Sequence, residues 1–231
     1  IINSVMRGEN KGTVFFPVDH DHDVSDQVSD KAIETNDDGE FSTIKKTAEL
    51  MAKAARDASY SIRKISTESR EKILLNIADA IASHETEILA ANAEDMEAAS
   101  RDGLTGPLLK RLKLTSAKIA NVVDGVRSIA RQEEPIGHIQ AKTELSQGLV
   151  LEKLSTSIGV LMVIFESRPD CVPQIAALAI RSGNGLLMKG GKEADRSNSI
   201  LHRIIQNAIK DGSGGKVAPE LIGLIRGRTE I

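Results

Sequence analysis

The sequence predicts an α/β protein in which an N-terminal helical layer precedes an incomplete doubly wound parallel sheet. Three observations support this fold class. Between Phe41 and Arg131 apolar residues recur at helical spacing. After Pro135 short apolar runs alternate with amphipathic segments in the order β-α-β-α-β, which is typical of parallel sheets. The chain has 231 residues, 40% hydrophobic and 27% charged, which is enough for a packed core.

The helical layer is predicted to contain four helices with short connections. Ser66 and Thr67 are candidate N-caps for an apolar stripe over residues 73–81. A helix that begins near residue 88 is expected to stop at Gly103. Thr115 is a candidate cap for the next helix, which Pro135 closes. No residue of this layer suggests a ligand site.

The second half of the chain is predicted to alternate strands with helices. The run 158–165 is apolar throughout, so we expect it to be buried on both faces of a parallel sheet. Asp170 is a candidate cap for the helix that follows, and Gly183-Asn184-Gly185 ends that helix. Ligands of such sheets bind beyond the carboxyl ends of the strands, so the chemistry is expected there. The predicted strands are 149–151, 158–165, 186–188 and 221–225, with helices at 170–182 and 197–210.

Composition argues against several classes of protein. The net charge is −3, from 30 basic and 33 acidic side chains. Aromatic residues make up 2%, and there is no Trp to stack on bases. We therefore expect no nucleic-acid partner. The longest apolar run is far below the roughly 18 residues of a membrane helix, so no membrane partner is expected. The single cysteine, Cys171, excludes an internal disulfide and a cysteine-based zinc site.

The segment 19–40 is predicted to be an acidic, mobile linker. It holds nine acids against Lys31 alone, so it carries a charge of −8 and has little apolar surface. The Asp/His alternation at 19–23 also allows a metal site, but a calcium loop beginning at Asp19 would need glycine at its sixth position and has Val24 there. We favour the linker and assign no metal site.

Two strand ends carry residues suited to binding. The first strand of the sheet runs into Glu166-Ser167-Arg168-Pro169, and the next into Lys189-Gly190-Gly191-Lys192. Paired glycines let the backbone approach a phosphate, and flanking ammonium groups neutralise its charge. The spacing matches neither the Walker motif nor G-x-G-x-x-G, and a plain turn is the alternative.

These motifs resemble a known family. The stretches IGVLMVIFESRPD (158–170), SGNG (182–185) and KGGKEA (189–194) closely resemble γ-glutamyl phosphate reductase of the aldehyde dehydrogenase superfamily, and more narrowly the reductase half of bifunctional Δ1-pyrroline-5-carboxylate synthases. The resemblance covers about residues 41–231. It implies three regions: a tail at 1–18 similar to the end of a glutamate kinase domain, the linker at 19–40, and at 41–231 the N-terminal part of an NADPH-binding domain with a truncated aldehyde dehydrogenase-like fold.

The resemblance also implies a reaction. The family reduces γ-glutamyl phosphate to glutamate γ-semialdehyde with NADPH and releases phosphate, a step of proline biosynthesis. A family cysteine that displaces the phosphate would lie beyond Ile231, so no catalytic residue is assigned and the isolated chain is expected to be inactive. The alternatives are a non-catalytic NADP-binding or oligomerisation fragment, and an acyl-phosphate or acyl-thioester reductase acting on another substrate.

Individual roles follow from matching positions. Lys189 stands where the superfamily contacts the cofactor ribose and phosphate, beside Gly190 and Gly191. Lys192 replaces the acid of NAD-preferring relatives, which favours the 2′-phosphate of NADPH. Ser167 and Arg168 match the loop facing substrate, although the Arg168 guanidinium could instead tie that loop to backbone carbonyls.

Cys171 allows two interpretations. A helix N-terminus would lower the pKa of its thiol and favour a nucleophile, but we favour a buried, inert cysteine.

Further expectations concern assembly and location. The resemblance implies a glutamate kinase half joined covalently to the reductase, a homo-oligomer, and a cytoplasmic or mitochondrial location, with no targeting segment recognised. The strand at 221–225 would present unpaired backbone if no further strand followed it, so we expect the isolated chain to self-associate or to be partly molten.

Overall fold

The structure, a computed structural model, describes residues 37–104 and 106–226, with side chains from residue 47 onward. The predictions for residues 1–18 and the Asp/His alternation at 19–23 lie outside the described residues. So does most of the predicted linker, although the first helix begins at Asp37 and takes in the last four residues of the segment 19–40.

The described residues form seven α-helices and five strands, in the order that follows. The helices of the first half are α1 Asp37–Lys64, α2 Thr67–Ser83, α3 Glu85–Arg101, α4 Pro107–Leu112 and α5 Ser116–Ala130. Then come β1 Ile139–Ser146, β2 Leu149–Leu154, β3 Val160–Ile164, α6 Cys171–Arg181, β4 Gly185–Lys189, α7 Asp195–Gly212 and β5 Ile222–Leu224. Short 3₁₀ turns precede α7 (Lys192–Ala194) and β5 (Pro219–Leu221). None of the described helices is long and apolar enough to cross a membrane.

The predicted helix caps are confirmed in two places and wrong in a third. The hydroxyl of Ser66 accepts the N–H of Ser69 at 3.3 Å, and that of Thr115 accepts the N–H of Lys118 at 3.3 Å. Asp170 does precede α6, but its side chain makes no capping bond. Its backbone is helical (φ −60°, ψ −20°) rather than extended, so the carboxylate is not directed toward the first-turn N–H groups. The layer has five helices, because a short proline-initiated α4 adds to the four predicted.

A buried ion pair joins α2 to the segment after α5. Arg70 is 4% exposed and donates to Glu134 at 2.5 Å, and Thr67 donates to the same carboxylate at 2.5 Å. Burial alone would raise the pKa of Glu134, but these two bonds and one from the N–H of Ile136 outweigh it, so its pKa is lowered. The carboxylate is therefore held in its charged form.

The parallel sheet confirms the predicted β-α-β-α-β order. Its strand order is β3-β4-β5, with Val160 opposite Gly185 and Leu186 opposite Ile222. Helix α1 packs closely on one face, since a Cβ added to Gly185 would lie 2.5 Å from the carbonyl oxygen of Ala55. Helices α6 and α7, which make the two crossovers, contact β4 and β5.

Strand β3 corrects one prediction. We expected the run 158–165 to be buried on both faces. Leu161, Val163 and Phe165 do pack against the core, but Met162 is 49% exposed and Ile164 is 61% exposed. As an edge strand, β3 has only one row of side chains packed into the core of the described residues.

The sequence analysis missed an antiparallel hairpin. Only residues 149–151 were predicted as a strand, whereas β1 and β2 pair over Ile139–Leu154 around a turn at Gln147-Gly148. Gly148 has φ +80°, a conformation that glycine adopts without strain. All residues of both strands are exposed. The sequence of β1 nevertheless alternates apolar and polar residues from Ile139 to Ser146, a strand signal that was overlooked.

Candidate functional site

The carboxyl ends of the three parallel strands meet at one edge of the sheet. The N–H of Phe165 after β3 donates to the carbonyl of Lys189 at 3.0 Å, and the N–H of Ile225 after β5 donates to the carbonyl of Met188 at 2.8 Å. A Cβ on Gly191 would lie 3.6 Å from the backbone nitrogen of Ser167. The two loops singled out from the sequence are therefore in contact.

A cavity of about 380 Å³ opens at this edge. It brings together Gly190, Gly191 and Lys192 of the predicted site. Lys189, half-buried as the last residue of β4, is not among the lining residues. The cavity contains two cationic side chains and one carboxylate. Its lining residues are Gly190, Gly191, Lys192, Asp195, Asn198, Leu224, Ile225 and Arg226.

Neither glycine of this loop has an unusual backbone angle, and only Gly190 is required for space. Gly191 has φ −66° and ψ 149°, which any residue can adopt. At Gly190, however, an added Cβ would lie 2.3 Å from the side-chain nitrogen of Asn198 and 3.3 Å from the ring of Phe165. At Gly191 it would meet the carboxylate oxygen of Glu193 at 2.5 Å, and the backbone of Glu166 and Ser167 would lie in ordinary contact at 3.6 Å. Gly190 therefore allows the loop to pack directly onto a buried asparagine.

Two buried polar residues of α3 fix the first turn of α7, which borders the cavity. The carboxylate of Asp95, 2% exposed, accepts the N–H of Ser197 at 2.8 Å, its hydroxyl at 2.7 Å and the N–H of Arg196 at 3.3 Å. Asn92 donates to the Ser197 hydroxyl at 3.1 Å and to the carbonyl of Leu112 at 2.9 Å. The helical layer, in which no functional residue was predicted, thus holds the helix that carries the site.

The loop after β3 is arranged differently from the expectation. Ser167 is buried, and its hydroxyl donates to Glu193 at 3.3 Å, which ties this loop to the 3₁₀ turn after β4. Arg168 is exposed, and its guanidinium makes no hydrogen bond to the described residues, so the tie to backbone carbonyls is not formed. Of the two, Arg168 is the side chain available to a ligand.

Cys171 lies at the first position of α6 and is half-buried. Burial raises the pKa of its thiol, the carboxylate of Asp170 raises it further, and Arg168 opposes them. A thiol with a raised pKa is protonated at neutral pH and is a poor nucleophile. This favours the inert interpretation.

A larger groove of about 620 Å³ lies between α3 and α7. Two of its three arginines are neutralised: Arg196 is 3.0 Å from Glu94, and Arg203 forms a short ion pair with Glu87. The third, Arg226, borders both this groove and the cavity at the sheet edge. The cavity at the sheet edge is smaller but combines glycine backbone with cations at the carboxyl ends of strands. In the described part of the chain no group of three His, Cys, Asp or Glu side chains is placed to hold a metal ion.

Arg226 is a cavity residue that was not predicted from the sequence. It follows β5 at the same edge as the two predicted loops and lines the cavity with Lys192. The rule that singled out the ends of the first two strands applies equally to the third.

Comparison with known proteins confirms the resemblance read from the motifs. The chain is 52% identical over 181 residues to Delta-1-pyrroline-5-carboxylate synthase of Mesembryanthemum crystallinum, which covers 78% of this chain and 25% of the relative. It is 41% identical over 181 residues to Gamma-glutamyl phosphate reductase of Acetivibrio thermocellus, covering 78% of this chain and 41% of the relative. No family model matches the chain.

Solved structures confirm the fold class. The crystal structure of Gamma-glutamyl phosphate reductase from Saccharomyces cerevisiae superimposes with a TM-score of 0.73 at 36% identity, covering 78% of this chain and 46% of that one. Two aldehyde dehydrogenases at 16–17% identity, with TM-scores of 0.60–0.61, share the fold alone. The chain thus spans between about a quarter and two fifths of the length of these curated relatives.

Proposed function

Because the chain is related to γ-glutamyl phosphate reductases over 78% of its length, we propose that it is part of an enzyme that reduces γ-glutamyl phosphate to glutamate γ-semialdehyde with NADPH, in proline biosynthesis. The reaction releases phosphate as the acyl carbon accepts a hydride. The observation that carries the proposal is the cavity formed by Gly190, Gly191 and Lys192 at the carboxyl edge of a parallel sheet.

The residues of the cavity suit a nicotinamide dinucleotide. The backbone at Gly190 and Gly191 carries no side chain that would keep a phosphate away. The N-terminal turn of α7 borders the loop, and Asp195 and Asn198 of this turn line the cavity. When bound, the cofactor supplies the hydride. The chain's own contribution is to hold the cofactor's adenosine end and to orient it.

Lys192 supports NADPH rather than NADH. Its ammonium group is exposed at the start of the 3₁₀ turn that follows the two glycines. An ammonium attracts the dianionic 2′-phosphate of NADPH, whereas a carboxylate at this place would repel it. Lys189, at the end of β4, is proposed to contact the cofactor's ribose and phosphate.

The substrate side of the proposed site is the loop after β3. Arg168 is exposed and cationic, so we propose that it attracts the carboxylate or phosphate of γ-glutamyl phosphate. Ser167 is proposed to support this loop through its bond to Glu193. We assign no catalytic residue, and Cys171 takes no part in the proposed chemistry.

The assembly proposed for the whole protein is a homo-oligomer with a covalently joined glutamate kinase half. The apolar side chains exposed on the hairpin support self-association; they are Ile139, Leu145, Leu149, Val150, Leu151 and Leu154. A monodisperse monomer in light scattering across the micromolar range would contradict self-association.

Substitution of Lys192→Glu in the reductase containing this chain tests the cofactor proposal. Fluorescence titration should show NADPH binding weakened by about 1–3 kcal/mol, or roughly 5–150-fold, and NADH binding far less affected. Lys216→Glu, which changes the same charge on an exposed loop after α7, is the matched control and should leave both affinities unchanged. Equal weakening of NADPH and NADH by Lys192→Glu would refute the specificity role.

A further inference from the structure

Arg226 follows β5 and borders the same cavity as Lys192, the proposed cofactor lysine. The two residues come from the ends of different strands, 34 positions apart in sequence order. They bring two positive side chains to one cavity of about 380 Å³. A ligand there would meet both cations.

The Arg226 guanidinium is positioned by α7 but remains accessible. One of its nitrogens donates to the Ser199 hydroxyl in a short contact, and its Nε lies 3.8 Å from the carboxylate of Asp195. The side chain is nevertheless 60% exposed. Two contacts from one helix limit the freedom of the guanidinium, so less entropy is lost when it binds an anion. Because Asp195 is 3.8 Å away, most N–H donors of the Arg226 guanidinium remain available to a ligand.

Asn198 is an independent sign of a ligand. This residue is 2% exposed and lines the cavity, yet its side-chain oxygen has no hydrogen-bond partner among the described residues. A buried polar atom without a partner is rare in folded proteins and costs about 1–3 kcal/mol. A ligand that brings a hydroxyl donor into the cavity would satisfy it.

We propose that Arg226 acts with Lys192 to bind a phosphomonoester carried on a ribose, and that Arg226 is a specificity-determining residue for the 2′-phosphate of the cofactor. This inference rests on the proposed function and assigns a second cation to it. A phosphomonoester carries close to two negative charges at neutral pH, which two cations neutralise better than one. A guanidinium can also donate two parallel hydrogen bonds to phosphate, whereas an ammonium acts as a point charge.

The neighbouring arginines do not offer this role. Arg196 is 3.0 Å from Glu94 and 3.6 Å from the buried carboxylate of Asp95, and Arg203 is paired with Glu87. Among the arginines that follow β4 in the described residues, only Arg226 lines the cavity at the glycine loop. Arg203, on α7, therefore provides a matched control, since it carries the same charge as Arg226 and does not line this cavity.

The test is isothermal titration calorimetry of the 231-residue chain with 2′,5′-ADP, 5′-AMP and inorganic phosphate as separate probes. The wild-type chain should bind 2′,5′-ADP at least about tenfold more tightly than 5′-AMP. Arg226→Met should weaken 2′,5′-ADP about tenfold and leave 5′-AMP within about twofold. Arg226→Lys should recover part of the loss, and Arg203→Met should change neither affinity. Thermal melts of each variant check that it is folded.

The outcomes separate this inference from the proposed function. If the wild-type chain binds 2′,5′-ADP and Arg226→Met binds it equally well, the role of Arg226 is refuted and the cofactor proposal stands. If inorganic phosphate competes as effectively as 2′,5′-ADP, the cavity takes free phosphate and the ribose phosphate is refuted. If no probe binds the wild-type chain, both proposals fail.

Discussion

Substitution of Gly190→Ala tests the packing on which the candidate site depends. The added methyl group would lie 2.3 Å from the side-chain nitrogen of Asn198 and 3.3 Å from the ring of Phe165, so at least one buried neighbour must shift. Overpacking of this kind typically costs about 1–3 kcal/mol of unfolding free energy. For a domain of this size that corresponds to a fall in Tm of roughly 2–12 °C.

Gly191→Ala is the matched control. The same methyl group one residue later comes within 3 Å only of the end of the Glu193 side chain, at 2.5 Å, and that carboxylate can rotate away, which gives up its 3.3 Å bond from Ser167. Because the backbone at Gly191 suits any residue, the cost should be limited to that one part-buried hydrogen bond, about 0.5–1 kcal/mol, and should be smaller than the cost of Gly190→Ala. Both variants are measured by circular dichroism melts and by denaturant titration.

A double-mutant cycle identifies the source of the effect. Asn198→Ala removes the group that the new methyl would strike, so Gly190→Ala should cost much less in that background than in the wild type. Two results would refute the proposed contact and, with it, the explanation of why glycine stands at this position. One is a Tm of Gly190→Ala equal to that of the wild-type chain; the other is a loss of unfolding free energy that is the same with and without Asn198.

Three further predictions concern the groups around the site. Asp95→Asn should lower the free energy of unfolding by about 1–3 kcal/mol in a denaturant titration, because a buried acceptor of three hydrogen bonds is replaced. Glu94→Gln changes an exposed carboxylate on the same helix and, as the control, should cost less than about 0.5 kcal/mol. Because the pKa of Glu134 is lowered in the fold, its ionised carboxylate contributes fully to stability above pH 4.5, and this contribution is lost as pH falls through the lowered pKa. Glu134→Gln should therefore flatten the dependence of Tm on pH in this acidic range. An unchanged slope would contradict this prediction. The raised pKa of the Cys171 thiol should shift the pH midpoint of its alkylation by iodoacetamide above that of free cysteine, and Cys171→Ser should leave nucleotide binding unchanged.

The sequence predicted the parts of the fold that bury a regular apolar pattern. The stripe that includes Ile73 and Ile77 forms α2, and the order of apolar runs after Pro135 correctly indicated parallel strands. The hairpin was overlooked, although β1 alternates apolar and polar residues from Ile139 to Ser146 and a glycine follows at Gly148. The exposed row of β3 could not be foreseen, since an apolar run does not reveal which of its faces a neighbour covers.

The candidate site was predicted where it depends on local chain chemistry and missed where it depends on tertiary contacts. Paired glycines beside Lys192 are visible in the sequence, and the predicted order of strands placed their loop and the loop at Ser167 at the carboxyl ends of the sheet. The role of Asp95 was not visible, because an acid within a helix usually faces solvent, and only the packing of α7 against α3 shows that this one is buried. Arg226 was overlooked at the end of β5 although the strand-end rule applied to it.

We propose that the chain binds NADPH at the carboxyl edge of the sheet formed by β3, β4 and β5. A crystal structure of the chain grown with NADPH tests it most directly. We predict that the adenosine 2′-phosphate lies in the cavity between Lys192 and Arg226, beside Gly190 and Gly191. Electron density for the nucleotide in the groove between α3 and α7, or at the hairpin, would contradict the claim.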